Sequence, residues 1–99
     1  MSPADPVDAL RRTRLGHTKE EFGQILTALG FEFDRNGTHG AIYKSKELAQ
    51  HPDKSLALRY SWMTVPNSCE REEYVAREVI RRAEIVTALR TQREREHNG

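Results

Sequence analysis

Residues 18–43, TKEEFGQILTALGFEFDRNGTHGAIY, carry the signals for a helix, a strand and a returning strand. Thr18 and Glu21 have the spacing of a capping box, in which each side chain accepts a hydrogen bond from the other residue's backbone N–H. Gly30 suits the left-handed conformation that often ends a helix. Between these residues the apolar side chains recur at the three- and four-residue steps of one helical face, namely Phe22, Ile25, Leu26 and Leu29. The spacing predicts a helix over residues 19–29.

A β-hairpin is predicted directly after this helix. Residues 31–34 alternate apolar and polar side chains, which is the pattern of a half-buried strand. Asn36-Gly37 is a strong signal for a short hairpin turn. Residues 41–43 would then form the returning strand, and His39 would lie at its start.

The middle of the chain predicts a loop followed by a third strand. Residues 46–55 are polar and contain Pro52, so we expect a loop that includes at most one helical turn, at KELAQ. Residues 56–65, LALRYSWMTV, are rich in side chains that favour strands. Pro66 would end this strand.

A final helix is predicted from residue 69 to about residue 91, with Asn67 or Ser68 as its cap and residues 93–99 as a frayed tail. One face of this helix is apolar, and arginine and glutamate fill the other. The apolar face consists of Tyr74, Val75, Val79, Ala83, Val86 and Leu89.

The order helix–strand–strand–strand–helix predicts an α+β fold, in which both helices pack on one face of a three-stranded antiparallel sheet. A chain of 99 residues suits one domain, which we place at residues 18–92. Residues 1–17 would form an N-terminal extension, with a short helix as one option over residues 6–15. The predicted core is Phe22, Ile25, Leu29, Phe31 or Phe33, Ile42, Val79 and Ala83.

Composition indicates a cytoplasmic protein with no membrane partner. Cys69 is the single cysteine, so no intrachain disulfide can form. No apolar run approaches the roughly 20 residues of a membrane span. Net charge is only +1, and the local basic cluster of Arg11, Arg12, Arg14 and Lys19 is typical of a solvated helix face. Three histidines, His17, His51 and His97, are predicted at the surface.

Neither a metal nor a cofactor is expected. The His, Cys, Asp and Glu residues lack the spacing of zinc ligands. No glycine-rich phosphate loop is present. Cys69 near a helix start could have a lowered thiol pKa, but the sequence suggests no base beside it, so we interpret it as structural.

His39 is the candidate catalytic residue. RNA cleavage without a metal needs the ribose 2′-OH deprotonated and the leaving oxygen protonated, and a histidine can do either. Gly37 and Gly40 would let an RNA backbone approach closely. The alternative is that His39 has no catalytic role and is a turn residue that faces water. Neighbouring side chains that could hold phosphate or contact a base are Arg35, Lys44, Lys46 and Tyr43.

The chain resembles the HicA-like toxins of bacterial toxin–antitoxin pairs over roughly residues 19–90. The resemblance rests on LGFEFDRNGTHGAIYK, on the later MTVP and on the long final helix. The matching motifs, in the order of the family, are Leu29-Gly30-Phe31, Gly37-Thr38-His39 and Val65-Pro66.

This resemblance implies a small version of the double-stranded-RNA-binding fold and an mRNA interferase that a cognate antitoxin silences by covering its active face. It places the catalytic histidine at His39 and a small hydroxyl residue at Thr38. Gly40 and Asn67-Ser68 depart from the family pattern. Two alternatives therefore stay open, a non-catalytic RNA-binding module and a protein-interaction domain of the same fold.

Overall fold

The computed structural model describes residues 5–98 and shows a mixed α+β protein with one three-stranded antiparallel sheet, which confirms the predicted fold class. In chain order the elements are α1 (Asp8–Arg12), α2 (Lys19–Ala28), β1 (Glu32–Asn36), β2 (Gly40–Lys44), α3 (Lys46–Ala49), α4 (Lys54–Tyr60), β3 (Trp62–Pro66), a 3₁₀ turn (Cys69–Arg71) and α5 (Glu73–Asn98). The sequence does not predict α4.

Helix α2 forms as its sequence predicts. The hydroxyl of Thr18 accepts a hydrogen bond from the backbone N–H of Glu21 at 3.1 Å. Phe22 and Leu26 are fully buried, and Ile25 packs against the core from its margin. Gly30 follows the helix with a φ of +94°, a conformation that side chains rarely adopt. The Thr18 half of the cap, the apolar face and the terminating glycine are therefore confirmed.

The sheet order is β1-β2-β3, and the register of β2 with β3 sorts the side chains onto two faces. Tyr43 opposes Met63, and Ala41 opposes Val65 on the face toward the helices. Met63 and Val65 are buried there. Side chains alternate along a strand, so the neighbouring residues point to the other face, where they are half-buried or exposed. We call this second face the open face; its residues are Arg35, Ile42, Lys44, Trp62 and Thr64.

Strand β1 is an exposed edge strand with a bulge. Phe33 opposes Tyr43 and Arg35 opposes Ile42, so Asp34 between them has no residue opposite. Phe33 lies on the helix side, where it lines a surface groove with residues of α2, and 54% of it is exposed. Of the two phenylalanines proposed for the core, Phe31 is buried and Phe33 is not.

Ile42 is a second correction to the predicted core. It opposes Thr64 on the open face and is only half-buried. Ala41 takes the inward position instead, because it opposes the buried Val65. Leu29, Val79 and Ala83 are in the core, as predicted.

The predicted ten-residue strand over residues 56–65 is half wrong. Its first part is helix α4, and only Trp62–Pro66 is a strand. One carboxylate oxygen of Asp53 accepts hydrogen bonds from the backbone N–H groups of Ser55 at 2.9 Å and Leu56 at 3.3 Å. This N-cap starts a helix in a segment whose composition favours a strand.

Both ends of the described chain differ from their predictions. Helix α1 is shorter than residues 6–15, yet Val7 and Leu10 are fully buried and belong to the core. Helix α5 continues to Asn98, past its predicted end at about residue 91 and through the segment expected to fray. No helix within residues 5–98 has an apolar stretch long enough to cross a membrane.

Glu47 ties α3 to α5. Its carboxylate accepts hydrogen bonds from Arg90 at 2.9 and 3.1 Å and from Arg93 at 3.0 Å. The hydrogen bond from Arg90 is the main cause that lowers the pKa of Glu47, with the charges of both arginines acting in the same direction and burial opposing them. The helical turn predicted at KELAQ is therefore confirmed as α3 and is held to the long helix by charge.

His17 is buried, which contradicts its prediction as a surface residue. Only 7% of it is exposed. Nδ1 lies 2.9 Å from a carboxylate oxygen of Glu21, and Nε2 lies 2.8 Å from the carbonyl oxygen of Thr13. Both partners are acceptors, so only the doubly protonated imidazolium, with an N–H at each nitrogen, satisfies both. The carboxylate of Glu21 therefore binds His17 instead of the backbone N–H of Thr18. Only the Thr18 half of the predicted capping box forms.

The pKa of His17 follows from these contacts. Burial alone lowers this pKa, but the hydrogen bonds to Glu21 and Thr13 and the charge of Glu21 together raise it above its ordinary value. Cys69, behind His17, donates its S–H to the His17 carbonyl at 3.6 Å. Burial raises the pKa of the Cys69 thiol, which excludes the lowered pKa that its position near a helix start suggests.

We expect His17 to make stability fall as pH rises. The pKa of His17 is higher in the folded than in the unfolded protein, so its contribution is fully present below about pH 6.5, the unfolded value, and disappears as pH rises through the folded value. His17→Gln should lower the free energy of unfolding by about 1–3 kcal/mol at pH 6 and by less at pH 8. Urea unfolding at the two pH values measures both differences.

His97→Gln is the matched control, because His97 is an exposed histidine on the last turns of α5. This variant should keep the pH dependence of the wild type. If His17→Gln also keeps that dependence in full, the buried imidazolium is not its source.

Candidate nucleic-acid interface

The tip of the hairpin presents His39 to solvent. Gly37, Thr38 and His39 connect β1 to β2, and the backbone N–H of Gly37 donates to the carbonyl of Gly40 at 2.8 Å. Thr38 and His39 are both exposed. The backbone of the tip is nevertheless fixed, because the carbonyl of His39 accepts a hydrogen bond from the N–H of Asn67 at 3.0 Å. The imidazole of His39 is thus accessible to solvent, on a turn whose backbone is hydrogen-bonded to Asn67.

Gly40 makes room for β3 rather than for a ligand. It is buried, and its φ is +157°. A Cβ at this position would collide with the carbonyl oxygen of Val65 and would lie 2.7 Å from the Cα of Pro66. Glycine is therefore required for strand β2 to begin this close to β3. The structure thus gives Gly40 a role in packing the sheet, and its predicted contact with RNA stays a prediction.

Lys19 and Asn67 lie next to the tip, and the sequence does not predict either as a site residue. The ammonium of Lys19 donates to the side-chain carbonyl of Asn67 at 2.8 Å, and the backbone of Asn67 holds His39. Asn67 reaches the tip only because Pro66, the residue before it, pairs with Gly40 across the sheet. Asn67 also lines a cavity of about 430 Å³, together with Ser68, Glu70 and Arg71.

Arg35 and Lys44 share one carboxylate. Arg35 lies 2.6 Å from an oxygen of Asp34, and Lys44 lies 3.6 Å from the same oxygen. The bulge places Asp34 between the two cations. Ion pairs as exposed as these contribute about 0–1 kcal/mol, so a phosphate could replace the carboxylate at little cost. Lys46 is exposed at the first position of α3.

Tyr43 is separated from the other predicted site residues. It faces the helices, where its hydroxyl contacts Gly23 of α2 so closely that a Cβ on Gly23 would clash with it. Its ring packs edge-on against Phe33 at a centroid distance of 5.7 Å. Tyr43 therefore stabilises the contact between the hairpin and α2 and cannot reach a ligand on the open face.

Trp62 is the aromatic residue of the open face. It opposes Lys44 on the neighbouring strand, and 50% of it is exposed. The register of β3 with β2 therefore places Trp62 at the surface. Within residues 5–98, no group of three or more His, Cys, Asp and Glu side chains is placed to hold a metal ion.

No protein-family model, no curated protein and no solved structure matches the chain. The resemblance to HicA-like toxins thus rests on the sequence motifs and remains a prediction.

Gly40→Ala should destabilise the protein, because the added methyl group would clash with backbone atoms of β3. Unlike the end of a flexible side chain, these atoms cannot rotate away. We expect a loss of about 1–3 kcal/mol in the free energy of unfolding. Gly37→Ala is the matched control on the other side of His39. Its added Cβ would lie 3.0 Å from the terminal methyl of the Ile42 side chain, which can rotate away.

Urea unfolding of both variants provides the measurement, and Gly37→Ala should stay within about 1 kcal/mol of the wild type. Equal stability of Gly40→Ala and wild type would contradict the close approach of β2 and β3.

Proposed function

We propose that this protein is an RNA-cleaving toxin of a toxin–antitoxin pair, which acts on mRNA in the cytoplasm without a metal and uses His39 as its general acid and base. The observation that carries the proposal is the position of His39. Its imidazole is exposed on a turn whose backbone Asn67 holds in place. A cognate antitoxin would silence the protein by covering this tip.

The chemistry needs one proton acceptor and one proton donor. The 2′-oxygen of the ribose bonds to phosphorus, its proton passes to neutral His39, and the bond from phosphorus to the 5′-oxygen breaks. The imidazolium then returns the proton to that leaving oxygen. The ammonium of Lys19, held at the tip through Asn67, is the nearby cation that could stabilise charge on the phosphate. One histidine that performs both steps makes a slow enzyme.

A non-catalytic RNA-binding protein is the second candidate. Within residues 5–98 no side chain is hydrogen-bonded to the imidazole of His39, so the structure provides no partner to orient it. The exposed cations of the hairpin would bind RNA equally well without cleavage. The same experiment separates the two candidates.

Replacing His39 by alanine should abolish cleavage. We expect the rate of RNA cleavage by purified protein to fall by about 10²-fold or more. In a bacterial host, induced wild-type protein should arrest growth and deplete mRNA, and His39→Ala at equal expression should do neither. His97→Ala is the control, because it removes another exposed histidine, which lies on α5.

Arrest by His39→Ala equal to that by the wild type would sink the proposal. RNA binding by the wild type without any cleavage would favour the second candidate. Absence of RNA binding at low salt would exclude both and leave the protein-interaction alternative.

Asp34 should weaken RNA binding, because its carboxylate competes with phosphate for Arg35 and Lys44. We expect Asp34→Asn to bind RNA about two- to fivefold more tightly at low salt, in line with the small free energy of an exposed ion pair. Fluorescence anisotropy with a labelled single-stranded RNA measures the affinity.

Glu94→Gln is the control for this substitution, since it removes the same formal charge from an exposed position on α5. A gain in affinity that is equal in the two variants would show an effect of net charge and not of the Asp34 site.

A further inference from the structure

A cavity on the open face combines an aromatic ring with two lysines. It has a volume of about 330 Å³ and is lined by Lys44, Ser45, Lys46, Ala49, Ser61 and Trp62. Lys44 and Trp62 are directly opposed across β2 and β3, a pairing that brings their Cβ atoms to about 4.5–5.5 Å. The cavity is thus formed by the end of the sheet and the start of α3.

The wall that carries Trp62 is rigid. On the helix side, Arg82 is buried, and one of its terminal nitrogens donates to the carbonyl oxygen of Trp62 at 2.9 Å. Ser45 is buried as well, and its N–H donates to the carbonyl of Ser61 at 2.7 Å. The backbone on both sides of the cavity is therefore fixed, while the indole ring remains half exposed.

The composition of this cavity fits a nucleotide better than a peptide. An exposed indole ring can stack on a base, and two lysines beside it can contact phosphate. The rest of the lining is Ser45, Ala49 and Ser61, so Trp62 is its one large apolar side chain, whereas protein interfaces bury several such side chains at their centre. Bases in a duplex are already stacked on each other, so a ring on this surface selects an unpaired base.

The cavity lies apart from the hairpin tip. Lys44 follows Gly40 by four residues along β2, which at the rise of a strand is about 13 Å. A nucleotide held at Trp62 is therefore not the nucleotide whose phosphodiester lies at His39. A single RNA strand long enough to span this distance could reach both places.

We propose that Trp62, Lys44 and Lys46 form a subsite for one unpaired nucleotide of a single-stranded RNA, with the base stacked on Trp62 and the phosphate held by the lysines. This inference rests on the proposed RNA function and adds the substrate class. The subsite selects single strands and sets how the RNA crosses the sheet toward His39.

Trp62 provides its own reporter, because it is the single tryptophan of the chain. The experiment uses full-length protein with His39→Ala, so that RNA is not cut. Oligouridine, an RNA duplex of the same length and polyglutamate are titrated at low salt while tryptophan emission is recorded. We expect oligouridine to quench the emission at lower concentration than the duplex, and polyglutamate to leave it unchanged.

Variants test the residues of the subsite by anisotropy of labelled oligouridine. Trp62→Leu keeps apolar bulk but removes the ring, and it should bind about 5- to 150-fold more weakly. Trp62→Phe keeps an aromatic ring, so its affinity should lie between those of Trp62→Leu and the wild type. This variant tests the ring even if Trp62→Leu folds poorly. Lys44→Ala and Lys46→Ala should each reduce the slope of log affinity against log salt by about 0.7. Tyr74→Leu and Lys54→Ala, at exposed positions elsewhere, should bind like the wild type.

Three results would overturn the subsite. Oligouridine could bind without a change in emission and equally well to Trp62→Leu and Tyr74→Leu. Polyglutamate could quench as strongly as oligouridine, which would show a site for acidic protein. RNA could fail to bind at low salt, which would also remove the proposed function. Cleavage of oligouridine by protein with an intact His39, measured alongside, shows in the first two cases whether the proposed function survives.

Discussion

The close contact between the start of β2 and the end of β3 determines where the candidate site lies. Gly40 packs its backbone against Val65 and Pro66 without a side chain between them. Because Pro66 is held there, the next residue, Asn67, reaches the carbonyl of His39 and fixes the hairpin tip. The same contact sets the register in which Val65 points into the core. A single glycine thus links the packing of the sheet to the position of the histidine.

That register also creates the open face. A shift by one residue would exchange the two faces of the strand, burying Trp62 and exposing Met63 and Val65. The indole ring of Trp62 does not have the shape of the Met63 and Val65 side chains that it would replace, so the core would have to repack around it, which makes such a shift unfavourable. Arg82 supports the same register from the helix side through its hydrogen bond to the carbonyl of Trp62. The exposure of Trp62 is therefore a consequence of core packing, and its position relative to Lys44 is fixed.

Local sequence signals predict the fold class and the position of His39, and tertiary contacts explain what they miss. Helix α2 is predicted because its cap, apolar face and terminating glycine all lie within thirteen residues. The strand predicted over residues 56–65 fails because the Asp53 cap outweighs the strand-favouring composition after it. In a strand of that length, Trp62 would share one face with Leu56, Leu58 and Tyr60. That face would be expected in the core, so the wrong prediction gives no sign that Trp62 is exposed. His17 and Lys19 gain their roles from Thr13, Glu21 and Asn67, and single-residue patterns do not reveal such pairs.

The charge distribution constrains how the proposed RNA substrate could be bound. With a net charge of +1, long-range attraction contributes little, and the few cations near the hairpin are partly neutralised by Asp34. A protein that makes few phosphate contacts has a weak salt dependence and little non-specific affinity. Useful affinity for RNA must then come from contacts that do not depend on charge, and stacking on an aromatic ring is the strongest of these for unpaired bases. Among the exposed aromatic side chains of residues 5–98, Trp62 is the one that the structure places on the open face beside lysines. Under the proposed function, the low net charge therefore favours recognition of single strands over binding of duplex RNA through its backbone.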